Sequence, residues 1–187
     1  MDRALVLSGR FLTLSRMTAV ILGAALVAGA AQIAVPLPGT PVPMTLQPLA
    51  VLLVGGLLGA RLGAASMVLY LALGIAGLPV FTPTVPLLGI ARLVGPTGGY
   101  LLAYPVAAFA VGAVARDGKS WTRVALAVAA GLALIHLGGL AQLLILTGSL
   151  QAAARFGTLP FLLGDLGKLV LAVPVLTAMI SPVRARL

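Results

Sequence analysis

The stretch PFLLGDLGKLVLAVPVL, residues 160–176, is apolar enough to lie in lipid, yet it carries Asp165 and Lys168. Spaced i, i+3, the two charges share one face of a helix. A charge inside a membrane span costs about 2.5–3.5 kcal/mol on insertion scales, and pairing recovers only part of that. Leucine would pack there more cheaply. Two readings compete: a structural ion pair that holds a helix bundle together, and a polar floor for a ligand. The second is favoured, because ionisable residues inside a membrane mark binding sites or ion pathways by default. A proton relay would need more than one aspartate and the lone His136. If the span starts near Thr158, Asp165 lies about 10 Å and Lys168 about 15 Å below its start, at the usual helical rise.

The rest of the chain supports a membrane setting. Of its 187 residues, 61% are hydrophobic and 8% charged, with a mean hydropathy of +1.19. A water-soluble domain of that size needs far more polar surface. The net charge of +9 does not imply nucleic acid, because the basic residues sit at segment ends and form no stripe. With no cysteine, disulfides, thiolate metal sites and thiol nucleophiles are excluded. The run at 17–35 follows Arg10 and Arg16 and ends near AGAAQ, which has the look of a signal-peptidase site. It is long for a signal sequence and is read as a span.

The fold expected is an all-α membrane protein of one domain with six transmembrane helices, at 17–35, 46–60, 62–80, 99–115, 124–147 and 158–180. Long Gly- and Pro-rich links follow the first, third and fifth spans. Arg61 and RDGKSWTR mark the other two turns. Nine basic residues (Arg3, Arg10, Arg16, Arg61, Arg116, Lys119, Arg123, Arg184, Arg186) fall on one side and only Arg92 and Arg155 on the other. That bias puts both termini in the cytoplasm and the proline-rich links outside.

Several short motifs carry candidate chemistry. In PLPGTPVPMTLQ, residues 36–47, prolines stiffen the link, while Thr45 and Gln47 offer polar contacts. This is either a stiff turn or a pre-shaped lid. In GPTGGY, residues 95–100, Gly98 and Gly99 permit close backbone approach, and Thr97 and Tyr100 stand at a helix start. Tyr100 is either an interfacial tyrosine or a wall for a planar ring. Arg92 suits an anionic group if a pocket lies near it; otherwise it is solvated, as Arg155 is expected to be. His136 and Gln142 belong to the fifth span. With no second histidine or neighbouring carboxylate in sequence, His136 reads as packed, and no metal site is expected. Trp121 reads as an interfacial anchor. Small residues recur at spacing four: Ala24 with Ala28, Ala30 with Ala34, and Gly55 and Gly59 with Gly63. The glycines fit packing within the chain, whereas the alanine stripe can face another subunit. A Walker-type loop, GxSxG, HExxH and paired carboxylates are all missing, so neither ATP binding of the P-loop kind nor hydrolysis is expected.

Taken together, VPLPGTPVPMTLQPLAVLLVGGLLGARLGAASMVLYLALGIAGLPVF, GPTGGYLLAYPVAA and FLLGDLGKLVLA resemble the BioY family, the biotin-specific substrate-binding (S) components of energy-coupling factor transporters. The resemblance runs from about Val35 to Ala172. It implies an S-component fold that captures biotin from the outer side of a prokaryotic cytoplasmic membrane, with no cofactor. Energy then comes from partners, a transmembrane coupling protein and a pair of cytoplasmic ATPases, so the chain itself is no enzyme. The resemblance also places the coupling-protein contact on the alanine-rich face of the first span: Ala24, Ala28, Ala30 and Ala34. It makes Asp165 and Lys168 substrate-binding residues, and the same pocket is expected to use Arg92, Tyr100, Gln47, Thr45 and Thr97. After PVF the chain reads TPTVPLLGIAR where a glycine-rich or Asn-bearing segment is expected. A carboxylate accepts ureido N–H groups, and an ammonium donates to the ureido oxygen or pairs with the valerate tail. Whether Lys168 or Arg92 takes the tail stays open at this level. A self-sufficient secondary biotin transporter, acting alone or as a homo-oligomer, is the alternative, although no inverted repeat or pair of broken helices is evident.

Overall fold

The computed structural model describes residues 2–187, with side chains from Thr13 onward. The side chains of Arg3 and Arg10, counted above as topology signals, lie outside the described residues. The chain is mostly helical. In order it forms α1 (Asp2–Gln32), the short strands β1 (Ala34–Val35) and β2 (Met44–Thr45), α2 (Gln47–Leu58), α3 (Ala60–Ile75), α4 (Ala91–Val94), α5 (Gly98–Ala115), α6 (Trp121–Thr147), α7 (Leu150–Gly157), a 3₁₀ turn (Leu159–Phe161) and α8 (Leu162–Arg184).

Among the described residues, four helical stretches are long and apolar enough to cross a membrane: Thr13–Gln32, Gly98–Ala115, Trp121–Thr147 and Leu150–Arg184. The other two expected spans are shorter helices, with α2 at 12 and α3 at 16 residues. From Ala50 to Gly56 α2 is buried almost all round, so protein rather than lipid covers it. Gly59, with φ of 84°, makes the tight turn between α2 and α3 that no other residue type adopts readily.

Close packing centres on α5, which lies against α6, α3 and α2. Gly99 and Gly138 face one another there: a Cβ on either would strike the other's backbone carbonyl. The close approach read from GPTGGY is thus an α5–α6 seam. Gly55 and Gly63 also pack within the chain, Gly55 against the Ala108 backbone and Gly63 against Gly55. Two apolar clusters fill the interior. One is rich in rings, with Tyr70, Phe81, Tyr100, Tyr104 and Phe161. The other is aliphatic, with Leu52, Val111, Val128, Leu176 and Ile180. Beyond the aliphatic cluster, Arg184 donates to the carbonyls of Gly56, Gly112 and Arg116, and Arg16 donates to Leu187 O at 2.9 Å. The C-terminal residues, the α2–α3 turn and the Arg116 link therefore share one end of the bundle. The ring-rich cluster lies towards the proline-rich links.

The outer surface is inverted relative to a soluble protein. Leu163 is 83% exposed and Ile145 78%, whereas Asp165 and Lys168 are only 7% and 6% exposed. Large apolar residues face outward and charges inward, as lipid requires.

Three placements add detail to the sequence reading. The alanine stripe does not form a free face: Ala24 is 2% exposed, and Ala28 and Ala30 pack against the ring-rich cluster. Ala34 lies beyond the helix, in β1. Ala24 and Ala31 sit where α1 meets its own bundle, and its outward face carries Leu14, Met17, Ile21, Leu22 and Leu26 together with Ala25 and Gly29. The link GSLQAAARFG is not irregular. Gly148, at φ of 66°, ends α6, and the Ser149 side chain accepts from Ala152 N to start α7. Lastly, α8 proper starts at Leu162, after a 3₁₀ turn containing Pro160. Asp165 is therefore in the first turn of α8, where the helix dipole favours a negative charge.

Candidate functional site

One cavity opens among the links and the ring-rich cluster. Its empty space, counted together with the open mouth, is about 590 Å³. Asp165, Lys168, Arg92, Tyr100, Gln47, Thr45 and Thr97 all line it. The structure thus brings together every residue that the sequence offered for substrate contact, from four separate parts of the chain.

Two strands and a glutamine build the first wall. The ribbon pairs Ala34 with Thr45 and Val35 with Met44, which gives the proline-rich link a fixed edge. Thr45 Oγ1 donates to Gln47 Oε1 at 3.2 Å, and Gln47 Nε2 donates to the Tyr70 hydroxyl at 2.6 Å. Tyr100 supplies its ring to the second wall. Its hydroxyl donates to Gly157 O at 2.5 Å, tying α5 to the end of α7.

Arg92 closes a third side from α4. It is 1% exposed and gathers the preceding loop around itself. Nη1 donates to Val85 O at 2.5 Å, and Nη2 donates to Thr82 O. The guanidinium also lies 5.9 Å from the centre of the Phe81 ring. Nε is buried without a partner. Burial pushes the Arg92 pKa down, opposed by Tyr70 and Tyr104, yet an arginine keeps its charge at neutral pH. Sequence reading placed Arg92 near an anion. It did not show that three of its contacts go to its own loop, because such carbonyl contacts leave no pattern in residue types.

The floor is the Asp165 cluster. Lys168 Nζ lies 2.8 Å from Asp165 Oδ1, the i, i+3 pair expected from spacing. His136 Nε2 lies 2.5 Å from Asp165 Oδ2. The expectation that His136 has no neighbouring carboxylate is therefore wrong: the partner is 29 residues away, and only the packing of α6 against α8 brings it near. Phe81, Thr82, Tyr104 and Phe161 also line the cavity without having been singled out. Among the described residues no group of three or more metal-ligating side chains occurs. Gln142 is elsewhere, donating to Val94 O at 3.0 Å and so bracing the loop that holds Arg92. Arg155 and Trp121 are exposed.

A family model described as the BioY family matches residues 3–185. This chain belongs to the BioY family. The probable biotin transporter BioY of Pyrococcus horikoshii is 41% identical over 133 residues, covering 71% of this chain and 77% of that protein. The biotin transporter BioY of Thermotoga maritima is 38% identical over 148 residues, covering 79% and 85%. A crystal structure of the S-component for biotin from an ECF-type ABC transporter superposes with a TM-score of 0.81 at 27% identity, covering 89% of this chain and 91% of that one. BioY proteins are transporter components rather than enzymes, and the cavity of this member, mostly apolar with a few buried polar groups, fits a role in holding a transported molecule.

Proposed function

We propose that this BioY chain takes up biotin, holding it in the Asp165 cavity as the substrate-binding component of an energy-coupling factor transporter. The observation that carries this is a buried, mutually satisfied Asp165–Lys168 pair in the wall of a ring-lined cavity. Such a pair tolerates the empty state and still offers an acceptor and a donor to a polar ring. Asp165 accepts from the ureido N–H groups, and Lys168 donates to the ureido oxygen. Tyr100 flanks the bicyclic rings, while Thr45, Gln47 and Thr97 border the remaining surface.

We assign the valerate tail to Arg92. Lys168, bonded to Asp165, serves the ureido oxygen with a remaining N–H, and Arg92 has a buried donor, Nε, with no partner. Charge supports the same assignment. Asp165, Lys168 and Arg92 together carry a net of one positive charge, which one carboxylate neutralises.

As one membrane domain, the six principal helices span the bilayer with both termini cytoplasmic. The end that gathers Arg16, Arg116 and the C-terminal residues then faces the cytoplasm, and the cavity faces outward. A transmembrane coupling protein and a pair of ATPases supply the energy. Contact with the coupling protein falls on the outward face of α1, where Leu14, Ile21, Leu22 and Leu26 are exposed. Titration of biotin, thiamine and riboflavin into the purified chain tests the ligand. Tight binding of biotin alone supports the reading; equal or absent binding by folded protein refutes it.

A further inference from the structure

We propose that His136 is a positioning residue of this site: it fixes the plane of the Asp165 carboxylate and thereby sets selectivity for ligands that present N–H donors. The inference rests on the reading of Asp165 as the acceptor for the ligand.

A carboxylate offers about four lone-pair positions to donors. Protein groups fill two, Oδ1 by Lys168 and Oδ2 by His136. The positions that remain are the ones a ligand can use. Their directions depend on rotation about the Cβ–Cγ bond, and Lys168 alone cannot fix that rotation. It lies on the same helix, one turn away, at the end of a flexible stem. His136 comes from a different helix and has little freedom of its own. Its ring lies between Tyr100, with centroids 6.2 Å apart at 81°, and Phe161, 6.3 Å apart at 43°. Its backbone is two residues from Gly138, where α5 and α6 touch. Among the described residues the His136–Asp165 contact is also the only side-chain hydrogen bond between α6 and α8.

The tautomer follows from the contact. With Asp165 ionised by its pairing to Lys168, the proton of a neutral imidazole is on Nε2 and is donated to Oδ2. Nδ1 is then an acceptor, and it is buried with no partner. A histidine kept for packing alone would leave neither a short contact to a charged carboxylate nor an orphaned nitrogen; leucine or phenylalanine would fill the same space.

The test uses the full-length purified chain, with biotin and its two singly N-methylated ureido derivatives as probes. Thermal unfolding is followed in parallel. Wild type prefers biotin over the methylated probes. His136→Gln places its amide nitrogen near the Nε2 position and is expected to keep that preference. His136→Leu, and His136→Asn with its shorter reach, are expected to bind biotin about tenfold to a hundredfold more weakly, the size of a hydrogen bond to a charged group. The methylated probes lose less, so the preference flattens. A purely structural histidine predicts that all three ligands shift in parallel. That result, or retention of the full preference by His136→Asn, overturns the proposal. Should His136→Leu not fold, the Gln and Asn variants decide. Asp165→Asn serves as the control for the underlying reading. If it binds biotin normally, the site assignment itself fails; if it loses biotin while the histidine variants keep their selectivity, only the role of His136 fails.

Discussion

Asp165 and Arg92 solve the same problem in different ways. Both are charges buried in an apolar body. Asp165 stands in the first turn of a long helix and is satisfied by side chains from two helices, α8 and α6. Arg92 stands in a one-turn helix and is satisfied by main-chain carbonyls of the loop before it. The first arrangement is as rigid as the bundle. The second is only as rigid as the loop, and the loop in turn is gathered around the guanidinium. One end of the cavity is therefore built by helix packing, and the other builds itself around its own cation.

The largest effects should come from breaking the helix-borne cluster. Asp165→Asn strands Lys168 in a buried position, and loss of one partner of a buried ion pair costs about 3–5 kcal/mol. Thermal unfolding should show a marked loss of stability together with loss of biotin binding. The double variant Asp165→Asn/Lys168→Met removes both charges. It should recover most of the stability, because a buried pair adds little over apolar packing, and should still fail to bind.

Arg92→Ala comes next and sharpens the contrast. Removing a hydrogen bond to a charged group costs about 1.5–3 kcal/mol, so biotin affinity should fall by roughly tenfold or more. The methyl ester of biotin, which lacks the anion, should lose much less. The loop at 81–98 should also become more accessible to proteolysis, since Thr82 O and Val85 O lose their donor. Equal losses for acid and ester would mean that Arg92 acts through the loop and not on the tail.

A smaller effect is expected at the seam that supports both ends. Gly99→Ala places a methyl against the Gly138 carbonyl, and overpacking costs about 1–3 kcal/mol. Stability should fall, with affinity lowered modestly for acid and ester alike. Leu163→Ala, on the lipid-facing side of α8, should change binding by less than about 0.5 kcal/mol, the usual range for substitutions away from such features.

How far these features were visible in the residues follows from the distance over which each is encoded. Asp165 and Lys168 share a turn, so spacing alone paired them. Gly98 and Gly99 announced close approach because glycine has few other reasons to cluster at a helix start. His136 met its carboxylate only through the packing of α6 on α8, which no local spacing encodes. The backbone contacts of Arg92 depend on a loop without periodicity. The alanine stripe was legible as a small-residue contact, but sequence does not say whether the opposing surface is the same chain. Ala24 is buried within the chain, whereas Ala28 and Ala30 are half-buried. The short α7 was hidden in a link whose glycines read as breaks, although Ser149 was its capping signal.

The most direct measurement is competitive binding of labelled biotin to wild type and to Asp165→Asn/Lys168→Met, with thermal unfolding of both. The account predicts that wild type binds biotin, that thiamine and riboflavin do not displace it, and that the double variant unfolds at a similar temperature while binding none. A folded double variant that binds biotin as tightly as wild type would contradict it.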